Sequence, residues 1–154
     1  MRRQQRQLRS RRNERGNAVV EFALAFALLV PLFLSAYQFG YAFYVYNGIQ
    51  TAVRSGARYA SMATYNSPTE TPSGDFTAAV RNMVVYGSPD AGTLPVVPGL
   101  TPEDVSVSMQ FVNGAPARVT IAVTTYRADA SVALVEVRQK PNLTVPYTGR
   151  WDPS

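Results

Sequence analysis

The hydrophobic rhythm of the chain changes several times, and each change predicts a different element. Ala18–Phe39 is apolar on every face, with one charge, Glu21, and one helix breaker, Pro31. Such a run predicts a helix in nonpolar surroundings rather than one half in water. Its 22 residues reach roughly 33 Å, enough to cross a bilayer core. Downstream, "NGIQTAVRSGARYASMA" (Asn47–Ala63) stays helical in pattern, with Ile49, Val53, Ala57 and Ala60 at helical spacings. Arg54 and Arg58 share a face there. The two patterns join into one predicted helix from about Gly16 to about Met62, roughly 70 Å long, with its second half beyond the bilayer. Pro31 has no N–H for the ladder and is expected to bend or loosen that helix. Ala36, Gly40, Gly48, Ala52, Gly56 and Ala60 are small and spaced by multiples of four, a row that lets helices approach closely.

The rest of the chain reads as an α+β unit. "ATYNSPTETPSG" (Ala63–Gly74) is a polar loop. Phe76, Ala79, Val80, Met83 and Val84 then form the apolar face of a short amphipathic helix over 75–86, with Ser73 or Asp75 to cap its start and Gly87 its end. A Pro-rich connector comes next. From Val105 the period becomes two. Val105, Val107, Met109 and Phe111 alternate with polar residues, as do Val119, Ile121 and Val123. Asn113–Gly114 marks the turn between them, with Ala115–Ala117 expected to lengthen it, so the stretch predicts a β-hairpin. "VALVEVRQ" (Val132–Gln139) reads as a third strand or a short helix, and Asn142–Tyr147 as a last strand. The expected fold is a long N-terminal transmembrane helix packed by its outer half on a small antiparallel sheet, residues 105–154, with one short amphipathic helix.

Charge changes the picture at one place. The formal net charge is +5, but Met1–Arg15 alone carries seven arginines and one glutamate. The remainder is slightly acidic. A basic tail suits an anionic membrane face or nucleic acid. Because it abuts an apolar run and no other basic face is evident, the sequence points to membrane orientation and to no nucleic-acid partner. Arginines before the run, Arg11, Arg12 and Arg15 nearest, and no basic residue until Arg54 predict a cytoplasmic N-terminus, with the C-terminal part across the membrane. A cleaved secretory signal would have a shorter apolar stretch and a small-residue site after it. Here the far end is aromatic instead. Tyr37, Phe39, Tyr41, Phe43, Tyr44 and Tyr46 suit contact with membrane lipid at headgroup level, or packing against neighbouring helices.

The chain has no cysteine and no histidine. Thiol catalysis, Cys/His metal sites and a Ser-His-Asp triad are thereby excluded. The acids outside the leader show no metal-loop spacing, there is no phosphate-cradling glycine loop, and no cofactor or metal is expected. Trp151 is read as rim or core packing ahead of a partner contact.

Glu21 remains to be explained, because a carboxylate at the start of an apolar helix is costly. A basic leader, a glycine (Gly16), a new first residue (Asn17) and a glutamate at the fifth position after the glycine (Glu21) together resemble the processing site of type IV prepilins. "RG" at Arg15–Gly16, "VEFAL" at Val20–Leu24, Pro31, the "QFGYAFYV" aromatic run and "AVRSGARYA" at Ala52–Ala60 resemble the TadE-like family of the tight-adherence (Flp) pilus system. The resemblance covers about a third of the chain. It implies a pseudopilin, a structural subunit rather than an enzyme, made as a single-pass precursor in the bacterial inner membrane. It further implies cleavage after Gly16 by a prepilin peptidase, and as partners a major pilin, a companion pseudopilin and the pilus assembly platform. By the same resemblance, Glu21 pairs with the N-terminal amine of a neighbouring subunit. Asn17 departs from the major-pilin pattern, which has an aromatic residue after the cut. The competing expectation is an uncleaved single-pass anchor whose second half binds a ligand or envelope partner.

Overall fold

A computed structural model describes residues 2–129, 134–138 and 141–153. Helix α1 spans Arg2–Met62 and α2 spans Gly74–Tyr86. Five strands complete the order: β1 (Val105–Val112), β2 (Ala115–Val123), β3 (Thr125–Asp129), β4 (Leu134–Arg138) and β5 (Asn142–Pro146). The fold is α+β. The chain divides into two units, residues 1–40 and residues 41–154. The first is helix alone.

Helix α1 begins earlier than the expected Gly16. Arginine and glutamine are good helix formers, and nothing before Gly16 breaks the ladder. Within the second unit, the α1 residues Val45, Ile49, Ala52, Val53, Ala57 and Ala60 are buried and join one hydrophobic core with residues of α2, β1 and β2.

The small residues acquire a definite partner here. A Cβ on Gly56 would stand 2.2 Å from Cγ2 of Val84 and 3.7 Å from Cδ1 of Ile121. A Cβ on Gly48 would stand 3.1 Å from Cγ2 of Val97. The close approach read from the glycine-alanine row is therefore made, over Gly48–Ala60, by α1 to its own unit.

Helix α2 starts and stops on side-chain and backbone chemistry. The Ser73 hydroxyl accepts from the Phe76 N–H at 3.3 Å, and Gly87 closes the helix at φ 73°, its N–H donating to the Met83 carbonyl. Of the two N-caps expected, Ser73 is the one used. Phe76, Val80 and Val84 are buried on one face, and Val85 is buried beside them.

β1 and β2 form the expected hairpin, but the turn is tighter than expected. Asn113 (φ 54°) and Gly114 (φ 80°) make a two-residue loop with both residues left-handed, the geometry that right-twisted strands favour. Ala115–Ala117 belong to β2 rather than lengthening the turn. The register shifts after Gln110↔Arg118 to Phe111↔Pro116, which leaves Ala117 as a bulge. Its carbonyl accepts from the Tyr147 N–H at 2.9 Å.

The single sheet expected over 105–154 is in fact two. β1, β2 and β5 form an antiparallel sheet in that order, whereas β3 and β4 pair only with each other. Thr124 interrupts the run after β2, its N–H and hydroxyl both bonding the Asp104 carbonyl (2.8 and 3.1 Å), so the chain leaves the first sheet there. Leu134–Arg138 settles the open reading of Val132–Gln139 as a strand; Val132, Ala133 and Gln139 lie outside the described residues.

The segment after β5 turns back to the end of α1. Thr148 N–H donates to the Ser61 carbonyl at 2.8 Å, Tyr65 N–H to the Arg150 carbonyl at 2.8 Å, and Asp152 N–H to the Tyr65 carbonyl at 2.9 Å. The Tyr147 hydroxyl accepts from Tyr65 N–H at 3.0 Å and lies 2.8 Å and 2.6 Å from the Ala63 and Arg150 carbonyls. Having one proton, it donates to one of these at a time. Trp151 packs its ring edge-on to Phe111 at 5.8 Å and donates from Nε1 to the Ser67 carbonyl, so it is a rim residue.

Candidate functional site

The first unit carries Gly16, Asn17, Glu21 and Pro31, which the sequence singled out. Gly16, Asn17 and Glu21 all lie within α1. Asn17 and Glu21 are four residues apart, so they share a face about one turn apart. Nothing lies within 4 Å of where a Cβ on Gly16 would stand, and Glu21 is exposed. Pro31 sits inside the helix, where it removes one N–H from the ladder, and the Ser35 hydroxyl donates to its carbonyl at 2.7 Å. The side chains of Arg11, Arg12 and Arg15 lie outside the described residues.

From Phe22 to Phe39 no residue of the helix is buried. Phe22, Leu28 and Phe33 are 69, 78 and 69% exposed, though no polar face balances them. Phe22 and Phe26 stack on each other at 5.9 Å, but they shield little more than each other. Gly16–Met62 is long and apolar enough to cross a membrane; its most apolar window has a mean hydropathy of 2.3, and none of that window is buried. Apolar area of this extent requires cover from outside the chain.

The aromatic run is not uniform. Tyr37, Phe39, Phe43 and Tyr44 are exposed, whereas Tyr41 and Tyr46 are half-buried. Tyr41 packs against the core of the second unit. Four of these rings are thus exposed, and Tyr41 is packed within its own unit.

In the second unit, Tyr65 and Tyr126 are buried and Tyr147 is half-buried. Burial pushes the Tyr126 phenol up from its ordinary 10.0, with Tyr41 and Asp104 adding to the shift; its hydroxyl donates to the Pro98 carbonyl at 2.7 Å. Tyr65 and Tyr147 are also raised, again chiefly by burial. These groups act as neutral donors, not as acids. Asp104 bonds the Thr101 N–H and hydroxyl, each at 2.9 Å, and so serves a turn. Among the described residues no three His, Cys, Asp or Glu side chains gather where they could hold a metal.

A groove of about 420 Å³ runs between α1 (Tyr44 to Ser55), the end of α2 (Met83 to Gly87) and the connector (Val96 to Pro98), and every residue lining it is uncharged. Sequence reasoning named Gly48 only as one of a row. It missed Val97, whose packing on Gly48 lies 49 positions away and leaves no local periodic signal.

Residues 16–58 match the family described as TadE-like protein. Neither the curated proteins nor the solved structures yield a match. The matched segment opens at the glycine of the proposed processing site and covers the membrane-length helix through Arg58. Over that segment, somewhat more than a quarter of the chain, the protein is similar to TadE-like proteins, and the match falls on the membrane-length apolar helix.

Proposed function

We propose that this chain is a minor, pilin-like subunit of the tight-adherence pilus, made as a precursor and cut between Gly16 and Asn17 by a prepilin peptidase. The observation that carries the reading is where the family match starts. It begins at Gly16, the residue that the leader pattern marks for cleavage, and it runs along a helix whose apolar window has no cover of its own. A glycine offers a protease no side chain to obstruct it. Residues 1–16 are then a leader, and the N-terminus is cytoplasmic because the leader arginines resist translocation.

Cleavage frees an amine on Asn17. An unpaired Glu21 carboxylate in hydrocarbon costs on the order of a few kcal/mol, and an amine offsets part of that. Asn17 and Glu21 share a helix face, so the amine of a neighbouring subunit meets Glu21 at a fixed axial height. Such pairs are best attested as register devices. The partners are then the major pilin, a companion pseudopilin and the assembly platform. An uncleaved anchor would need none of this at Gly16.

Intact mass and N-terminal sequencing of the protein from its native envelope separate the two readings. A mature chain starting at Asn17, lost on Gly16→Leu, supports processing. A chain that keeps its arginine leader in a host with active peptidase assigns a permanent anchor.

A further inference from the structure

Between Glu21 and Arg54 helix α1 has no charged residue. The 32 residues from Phe22 to Val53 extend about 48 Å as a helix. A bilayer's hydrocarbon is about 30 Å thick, and about 40–45 Å with its headgroups. The charge-free stretch therefore outlasts the hydrocarbon and reaches headgroup depth. Its downstream part, from Tyr41, belongs to the second unit, where Phe43 and Tyr44 are 66 and 68% exposed.

A second segment of that unit packs on the same stretch. The connector after α2 is pinned at several points. Val96 N–H donates to the Val85 carbonyl at 2.8 Å, Leu100 N–H to the Val97 carbonyl at 3.1 Å, and Val97 packs on Gly48. The Pro98 carbonyl accepts from the Tyr126 hydroxyl. These bonds hold the connector in place. Yet Leu94 is 83% exposed and Val96 54%. Ala91–Pro102 carries no charge, and neither does the groove between Val96–Pro98 and Tyr44–Ser55. Val96 thus lines a neutral groove with Tyr44 from a pinned backbone, and Leu94, two residues before it in the same uncharged connector, is exposed to solvent.

We propose that Leu94 and Val96, with Phe43 and Tyr44, form a second lipid contact, seated at headgroup level in the bilayer that α1 enters. Lipid fits better than a protein partner on two grounds. Phe43 and Tyr44 follow the membrane-length run directly in sequence, Tyr44 lying five residues after Phe39, with no charge before Arg54. Its makeup, aliphatic side chains beside an amphipathic tyrosine and no charge to select a partner, is that of an interfacial contact. The contact ties the second unit to the membrane at two points of the chain, some 50 residues apart.

The inference rests on the membrane-anchored reading, not on processing. The chain has no cysteine, so Leu94→Cys places one fluorophore uniquely at an already exposed site. Val112→Cys, also exposed and next to the β1–β2 turn, is the control. The full chain is reconstituted in phosphatidylcholine–phosphatidylglycerol vesicles with a nitroxide near the acyl ester. Flotation reports anchoring, and circular dichroism reports folding. The expected result is flotation of both, with the Leu94 label quenched several-fold more than the Val112 label. Equal quenching of the two labels in floating vesicles overturns the lipid contact while leaving the anchor intact. Shielding of the Leu94 label only when other pilus subunits are added overturns it in favour of a protein interface. A chain that does not float overturns both.

Discussion

Glu21 and Gly56 are single residues whose surroundings make opposite demands. Glu21 is exposed on an apolar stretch of helix, and the pairing proposed for it needs a second subunit. Glu21→Ala should leave membrane insertion unchanged and reduce co-purification with pilus subunits several-fold; unchanged co-purification would exclude the pairing. Gly56 is governed by the room left to it. Alanine there gains about 1 kcal/mol in helix propensity but drives a methyl group to 2.2 Å from fully buried Val84. Overpacking of this kind costs about 1–3 kcal/mol, so Gly56→Ala should lower the melting temperature. Adding Val84→Ala should make the double variant more stable than the two separate losses would sum to, because the two residues share one space. The demand on Glu21 is visible in its local sequence, whereas that on Gly56 is not. Glycine at position 56 reads the same on a lipid-facing, partner-facing or core-facing helix, and only the location of Val84 decides.

Among elements, those built from short-range pattern were legible. Phe76, Val80 and Val84 at four-residue spacing announced α2, and Ser73 and Gly87 announced its limits. Asn113–Gly114 between alternating valines announced the hairpin. The Ala117 bulge was not legible, because it answers to Tyr147, just past the end of β5, rather than to its own neighbours. The separate β3–β4 pair was hidden for a similar reason: Thr124 breaks the sheet through bonds to Asp104, twenty residues earlier. The segment Tyr147–Asp152 is an element without periodicity, so its bonds to Ser61, Ala63 and Tyr65 left no sequence signal. Gly149 permits them. A Cβ there would fall 2.4 Å from the Ala63 carbonyl oxygen. Gly149→Ala should therefore destabilise the second unit by about 1–3 kcal/mol, read as a lower urea midpoint with an unchanged slope.

For the whole molecule, the buried tyrosines set a limit at alkaline pH. Tyr126, Tyr65 and Tyr147 are raised above 10.0, so the unfolded chain loses those protons first. Their contribution is complete below about pH 10 and is lost as pH rises through the folded values. Stability of the second unit should be flat with respect to these groups at neutral pH and fall above pH 10. Tyr126→Phe should cost about 1 kcal/mol at neutral pH, where it loses its bond to Pro98, and should make the alkaline fall less steep. Thermal melts across that range check both parts.

The return of Tyr147–Asp152 to the end of α1 also fixes an order of events. Ser61, Ala63 and Tyr65 are synthesised some 85 residues before the groups that bond them. Those bonds to the end of α1 cannot form until the strands between have been made. The helix can enter a membrane on its own apolar content long before that. On the membrane-anchored reading insertion precedes closure, and a chain interrupted before Tyr147 would be anchored but unlatched.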